Sequence, residues 1–186
     1  MTRTWALAAA GVALLFTSTL GLGIWLRQPR VVPEVLLAAP GGRTVKLSSF
    51  RGKWLVVYFG YTGCPDACPT GLADLSAELK RLGPARDRVQ VALVTLDPDH
   101  DRPDDLGSYV RYFDPTFTAL VPGVDALGRL ERHFGATHRE VIEKGSRRID
   151  HTLDFFLVNP RGVLKTRFLL PLPPGVLRRY LELPSR

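Results

Sequence analysis

The sequence predicts an α/β domain built around a central mixed β-sheet, and three observations support this prediction. Residues 54–61 and 89–95 are apolar and rich in β-branched side chains, which is typical of buried strands. Segments whose apolar residues have helical spacing follow both stretches. Two later strands, 152–158 and 163–168, are joined by the turn-forming residues 159–162. Strands that alternate with helices and end in a hairpin are expected to form one mixed sheet covered by helices.

The predicted elements follow one another closely from residue 35 onward. Within 35–47 we expect two short strands about the turn at 41–42. Leucines spaced three and four residues apart predict a helix over 69–82, and Gly135 is expected to end a helix over 126–134. The remaining predicted elements are strands at 54–61 and 89–95, a helix at 104–113, a strand at 117–121, strands at 152–158 and 163–168, and a helix at 175–183.

The N-terminal segment 5–26 contains no charged residue and is flanked by arginines. As a helix it would span roughly 33 Å, which is enough to cross a bilayer core of about 30 Å. We therefore predict a single transmembrane helix there, with a cleaved signal peptide as the competing interpretation. The predicted organisation is a short tail (1–4), a transmembrane anchor (5–26), a linker (27–33) and a folded domain (34–186).

The net charge of +7 does not indicate a nucleic-acid partner. Residues 1–33 hold three arginines and no acid, which leaves +4 for the folded domain. The basic residues of that domain are scattered, and no basic helix interleaved with aromatic side chains occurs in the sequence. We therefore interpret the positive charge as ordinary solvated surface and expect no nucleic-acid binding.

Both cysteines of the chain, Cys64 and Cys68, lie within residues 60–70, which read GYTGCPDACPT. This segment falls where the first long strand is expected to turn into a helix. In a helix their Cα atoms would be about 6 Å apart by rise alone, which permits either a disulfide or one metal ion bound by both sulfurs. A stabilising disulfide, a redox pair and a metal site all remain open, although redox pairs of this kind normally have two intervening residues rather than three.

A metal site needs a third ligand, and the chain has four histidines to supply it. His133 falls in a predicted helix, His138 in a polar segment and His100 in an acid-rich turn, so ordinary surface or turn chemistry explains each of them. His151 directly precedes an apolar strand, where it is either a structural residue or a ligand at the edge of the sheet. Two thiolates and one imidazole form a soft set that suits Cu(I), and Cu(II) with a further weak ligand.

Residues 52–70 resemble the signature of the SCO/SenC family of copper-delivery proteins. Three shorter segments occur in the order found in that family, namely VTLDP at 94–98, DHT at 150–152 and NPRG at 159–162. The resemblance extends over about 35–183, and the cysteine motif is its most specific part. The separate DHT segment supports the resemblance independently.

The resemblance implies a thioredoxin-like domain held by one anchor on the outer side of a membrane. Family members bind copper through the two motif cysteines and a later histidine, which correspond here to Cys64, Cys68 and His151. They assist assembly of the dinuclear copper centre of cytochrome c oxidase. The implied partner is therefore the copper-receiving subunit of the oxidase, with other copper carriers or thiol reductases as further partners.

The expected location is the bacterial cytoplasmic membrane, with the folded domain on the periplasmic side. The N-terminal segment lacks a long Arg- and Ser-rich transit region, which favours a bacterial protein. A single pass through residues 5–26 would then hold the domain at the outer surface.

The alternative function is that of a thiol–disulfide oxidoreductase, which would reduce the oxidase cysteines or act as a redox sensor. It needs Cys64 and Cys68 but not His151. In either function, the helix N-terminus after the strand is expected to favour the thiolate form. We also expect Asp150 to orient the His151 ring by a hydrogen bond, and Asp66 to cap the helix or support the site.

Overall fold

The computed structural model describes residues 29–143 and 145–182 of the chain. The predicted anchor at 5–26 lies outside these residues. Within the described ranges, none of the helices combines the length and the apolar character that crossing a bilayer requires. Val32 is buried, and its N–H donates to the Gly162 carbonyl at 2.9 Å, so the chain packs against the domain before the first strand begins.

The described residues form nine strands and four α-helices, with short 3₁₀ turns at Leu47–Phe50 and Gly83–Arg88. The strands are β1 (Leu37–Ala39), β2 (Arg43–Val45), β3 (Trp54–Gly60), β4 (Val89–Thr95), β5 (Thr118–Pro122), β6 (His138–Glu143), β7 (Ser146–His151), β8 (Phe155–Val158) and β9 (Leu164–Phe168). The helices are α1 (Ala67–Leu82), α2 (Pro103–Phe113), α3 (Val124–Phe134) and α4 (Val176–Glu182).

Seven of these strands form one sheet in the order β2-β1-β5-β4-β3-β8-β9. The three central strands β3, β4 and β5 run parallel, and the others join antiparallel. The central mixed sheet that the sequence predicts is therefore confirmed. β3 is buried along its whole length, as expected of a central parallel strand covered on both faces. α1 turns Leu72, Leu75 and Leu79 into the core, in agreement with their helical spacing.

The carboxyl end of β3 leads through the cysteine segment directly into α1. Gly60 at this end pairs in register with Thr95, so β3 and β4 end at the same edge of the sheet. α1 begins at Ala67, two residues before the predicted start, so Cys68 belongs to its first turn. In open α/β sheets this edge is where ligands commonly bind.

A second, two-stranded sheet pairs β6 with β7, and the sequence pattern does not predict it. The pattern predicts a polar segment without a strand around His138, which is wrong. It also predicts one strand over 152–158, of which the structure confirms Phe155–Val158. In the structure His138 pairs in register with His151, and β8 begins only at Phe155. Most residues of the β6–β7 hairpin are exposed and half of them are charged, so the apolar–polar alternation that identifies a strand is missing.

Candidate metal centre

The two cysteines lie at the turn from β3 into α1, with Cys64 before the helix and Cys68 inside its first turn. The Cys64 N–H donates to the Tyr61 carbonyl at 3.3 Å, and the Cys68 N–H donates to the Cys64 Sγ at 3.3 Å. Since the first N–H groups of a helix have no acceptor within it, they can stabilise a negative sulfur here. Asp66 is the residue that precedes the helix, but its side chain makes no capping hydrogen bond, so of the two roles expected for Asp66 the capping role is wrong.

Three potential ligands converge at this turn. The sulfurs of Cys64 and Cys68 and a ring nitrogen of His151 all lie within 4.8 Å of one another. The Cys68 Sγ is 3.6 Å from His151 Nε2. Cys68 is fully buried, Cys64 and His151 are half-buried, and both cysteines are free thiols. The structure therefore brings together the three residues that the sequence singles out.

The His151 ring presents its Nε2 atom to the sulfurs. Its Nδ1 lies 2.9 Å from the Thr152 carbonyl oxygen, which can only accept a hydrogen bond. Nδ1 therefore carries a proton, so that when the ring is neutral Nε2 is the unprotonated nitrogen, and it faces Cys68. Imidazole ligates a metal in this form, and the hydrogen bond at the opposite nitrogen fixes the orientation of the ring.

The prediction that Asp150 orients the His151 ring is wrong. The Asp150 carboxylate instead contacts the Arg139 and Arg148 guanidinium groups, at 3.4 Å in each case. Successive residues of a strand point to opposite faces, so an adjacent pair within β7 is poorly placed to share a hydrogen bond. The carbonyl of Thr152 takes the role that the sequence assigns to Asp150.

Tyr61 connects the cysteine turn to the hairpin that carries His151. Its hydroxyl oxygen accepts the buried Ile149 N–H at 3.0 Å. The Tyr61 and His151 rings meet edge to face, with their centroids 5.9 Å apart. Sequence reasoning missed this role, because a tyrosine that follows a buried strand is ordinarily explained by packing. Its place inside the 60–70 motif is the one signal that points to it.

The other three histidines have contacts of their own. His100 Nδ1 lies 2.8 Å from an Asp97 carboxylate oxygen, and His138 Nδ1 contacts Glu131. His133 packs edge to face on the neighbouring Phe134 ring. His138 is exposed, as the sequence predicts, but it belongs to β6 and has a partner on α3.

The hydrogen bonds at the turn shift the pKa values of the two thiols in opposite directions. A hydrogen bond from the Cys68 thiol, followed by hydrogen bonds from His151 and from backbone N–H groups, lowers the pKa of Cys64 from 9.0 to about 4, although burial opposes the shift. The same hydrogen bond, followed by burial, raises the pKa of Cys68. The expectation that the helix N-terminus favours the thiolate thus holds for Cys64 and fails for Cys68. At neutral pH the pair carries one negative charge and one proton.

Iodoacetamide is expected to alkylate Cys64 in the reduced, metal-free protein at a nearly constant rate down to about pH 5, because only the thiolate attacks. The rate should fall as the pH approaches the Cys64 pKa of about 4. Mass spectrometry of the modified peptides checks this, with Cys68 expected to react slowly because it is buried and protonated. A midpoint near the ordinary thiol value of 9.0 would contradict the assignment. A Cys64→Ser variant supplies the control rate.

An open groove of about 370 Å³ gives access to one side of this centre. Cys64 and His151 line the groove together with Tyr61, Arg148 and Leu153. Cys68 is fully buried. A molecule that enters the groove therefore meets the Cys64 sulfur and the imidazole.

A turn with two thiols and a facing imidazole, at the edge of a mixed sheet, defines a class of protein, namely small α/β domains that can bind a soft metal ion. Residues 27–178 match the family model of the SCO1/SenC proteins. The chain therefore belongs to the SCO1/SenC family.

Relatives of known sequence include a bacterial and a mitochondrial protein. A protein of Stutzerimonas stutzeri that is named for copper binding is 30% identical over 158 residues, which cover 84% of this chain and 78% of that protein. A mitochondrial SCO2 homologue of Danio rerio is 33% identical over 132 residues, which cover 69% of this chain and 47% of that protein. The match thus spans about half the length of the mitochondrial relative.

Solved structures of related proteins have the same fold. Copper-bound ScoI of Bradyrhizobium japonicum superposes with a TM-score of 0.73 at 28% identity, over 82% of this chain and 98% of ScoI. BsSco is described as a member of the Sco family of cytochrome c oxidase assembly proteins that has a disulfide switch. It superposes with a TM-score of 0.68 at 19% identity, over 83% of this chain and 92% of BsSco. At 19% identity, the similarity to BsSco shows a shared fold alone. Together they confirm the thioredoxin-like α/β fold that the resemblance implies.

Proposed function

We propose that this chain binds one copper ion through Cys64, Cys68 and His151 and delivers it for assembly of the dinuclear copper centre of cytochrome c oxidase. The observation that carries the proposal is the convergence of two sulfurs and an imidazole nitrogen within 4.8 Å. This soft set suits Cu(I) and holds Cu(II) with an additional weak ligand. Copper-bound ScoI and the S. stutzeri relative named for copper support the same metal.

Copper binding at this site is coupled to a proton and to the redox state of the sulfurs. Cys64 is ionised at neutral pH, whereas the raised pKa of Cys68 keeps its proton in place. Copper entry must displace that proton, because the thiolate is the ligand. Oxidation of the pair to a disulfide removes both thiolates, so only the reduced protein holds the ion.

Delivery requires that an acceptor can reach the ion, and the groove provides the route. Cys64 and His151 line it, so an acceptor thiolate can replace either of them while the buried Cys68 still holds the copper. Exchange of one ligand at a time keeps the soft ion coordinated throughout the transfer.

The proposal also names an oxidase partner and a membrane location. Membership of the SCO1/SenC family supports the oxidase partner, because BsSco, a member of the Sco family, is described as one of the cytochrome c oxidase assembly proteins. The uncharged segment 5–26 supports an anchor that holds the domain on the periplasmic side of the bacterial cytoplasmic membrane. We expect carbonate-washed membranes to retain the full-length chain. A shorter, soluble mature form would contradict the anchor.

A second function, thiol–disulfide exchange, is favoured by the low pKa of the half-exposed Cys64 thiol. The Cys64 thiolate could attack a disulfide in the acceptor, and Cys68 could then release the mixed disulfide by closing the internal one. This reaction would reduce the acceptor cysteines and needs no imidazole ligand.

Complementation of a strain that lacks this chain separates the two functions. We expect the wild type to restore both the activity and the copper content of the oxidase, and the Cys64→Ser and His151→Ala variants to fail. Full restoration by His151→Ala would contradict copper delivery and favour thiol exchange. His138→Ala serves as the control, because His138 contacts Glu131 instead of the cysteines.

Substitution of Gly60 by alanine is expected to weaken copper binding about tenfold, the scale found when groups that support a ligand are lost. An added Cβ would lie 2.8 Å from the Cys68 Sγ and 3.1 Å from the Leu93 Cδ1, so the sulfur must move. Competition with a copper chelator measures the affinity. Gly128→Ala is the matched control, because its Cβ would approach an Arg132 side-chain nitrogen at an ordinary 3.4 Å. Equal affinity of both variants would contradict the prediction.

A further inference from the structure

The loop between β4 and α2, residues 96–102, contacts both segments that carry the proposed ligands. It holds two buried carboxylates, Asp97 and Asp101, which are 5% and 3% exposed. The sequence suggests only turn chemistry for these acids, and backbone bonds to the Asp97 carbonyl confirm the turn. Their carboxylates, however, reach side chains and backbone groups in two distant parts of the chain.

Asp101 binds the turn that leads into Cys64. Thr62 donates its N–H to both Asp101 carboxylate oxygens, at 3.3 and 3.4 Å, and its hydroxyl to one of them. Thr95, the last residue of β4, donates its hydroxyl to the other oxygen. Thr62 is itself exposed, so the buried carboxylate fixes a backbone segment that packing alone leaves free.

Asp97 binds the hairpin that ends at His151. The Arg147 guanidinium makes a two-point contact with it, Nη1 to Oδ2 at 2.7 Å and Nη2 to Oδ1 at 3.1 Å. This planar fork fixes direction as well as distance. The Asp97 N–H also donates to the Thr95 hydroxyl oxygen at 2.9 Å. Thr95 therefore joins the Asp101 carboxylate to the backbone of Asp97 in one buried network.

We propose that Asp101 and Asp97 are positioning residues for the metal centre, and that the network through Thr95 sets the distance between the cysteine turn and the histidine hairpin. Asp101 acts through Thr62, and Asp97 acts through Arg147. The inference rests on the proposed function, since it concerns the ligands of the same site. Loss of groups that orient metal ligands typically lowers affinity about 10- to 100-fold.

Copper affinities of single variants test the two proposed roles, that of Asp101 acting through Thr62 and that of Asp97 acting through Arg147. In the full-length chain purified in mild detergent, we expect Thr62→Val, Asp101→Asn and Arg147→Met each to lower Cu(I) affinity about tenfold in competition with a chelator. The thiolate-to-Cu(II) absorption should also change, because the ligands lie at altered angles. Thr62→Val is the safest of the three variants for folding, since Thr62 is exposed.

Combination with His151→Ala distinguishes positioning from general destabilisation. If Arg147 acts through His151, Arg147→Met should have no further effect in the His151→Ala background, whereas Thr62→Val should keep its effect. An equal effect of Arg147→Met in both backgrounds would show that Arg147 does not act through His151.

Two control variants leave the network of Asp97, Thr95 and Asp101 intact. Asp114→Asn removes an equally buried carboxylate, 3% exposed, that Arg86 holds at 2.9 Å, and Arg139→Met removes an exposed cation of β6. Both should keep wild-type copper affinity. Unchanged affinity in Thr62→Val, Asp101→Asn and Arg147→Met, or an equal loss in Asp114→Asn, would overturn the inference. A wild-type chain that binds no copper would overturn the proposed function instead.

Discussion

A Cys68→Ser variant is expected to lose tight Cu(I) binding, with an affinity more than about 100-fold below that of the wild type, beyond what loss of a merely supporting group costs. A serine hydroxyl is a hard donor that keeps its proton, whereas Cu(I) is bound by soft thiolates. Cys68 is also the fully buried member of the pair, so solvent is poorly placed to replace its sulfur. Chelator competition on the reduced protein measures the loss.

The loss of Cu(I) affinity in Cys68→Ser must be separated from a loss of folding. Serine is close to cysteine in size, and the Cys64 sulfur and His151 Nε2 offer acceptors for the new hydroxyl. We therefore expect the unfolding midpoint of the metal-free variant to stay close to that of the wild type. A folded Cys68→Ser variant with wild-type Cu(I) affinity would rule out Cys68 as a ligand.

Replacement of His151 by alanine is expected to abolish the thiolate-to-Cu(II) absorption and to lower Cu(I) affinity about tenfold or more. Imidazole is the nitrogen ligand that allows the site to hold Cu(II), whereas two thiolates can still retain some Cu(I). Absorption spectra of the Cu(II)-loaded protein and chelator competition for Cu(I) measure the two effects.

His138→Ala is the matched control for this substitution. His138 and His151 pair in register across the β6–β7 hairpin, so either change removes one imidazole from the same pair of strands. Only His151 faces the sulfurs, since His138 contacts Glu131. Loss of the thiolate-to-Cu(II) absorption in both variants would show that this absorption depends on the structure of the hairpin rather than on the His151 ligand.

The central sheet and the cysteine turn could be predicted because their residues obey simple patterns. β3 and β4 are continuous apolar strands, and α1 follows with leucines at helical spacing, so the strand-to-helix turn around Cys64 is determined locally. The choice of His151 depended on its place before an apolar strand and on the resemblance of the DHT segment.

The support of the site could not be predicted, because it depends on contacts between distant residues. The β6–β7 hairpin is mostly exposed and lacks apolar alternation, so its strands give no periodic signal. Asp150 is adjacent to His151 in sequence, yet the Thr152 carbonyl orients the ring. The bonds from Thr62 to Asp101 and from Arg147 to Asp97 join residues 39 and 50 positions apart, which only the fold brings together.

X-ray absorption at the copper edge of the copper-loaded, full-length chain tests the proposed ligand set most directly. We expect one copper ion per chain with two sulfur ligands and one imidazole nitrogen, and loss of the nitrogen contribution in His151→Ala. Coordination by sulfur alone in the wild type, or a spectrum unchanged by His151→Ala, would contradict the proposed ligand set.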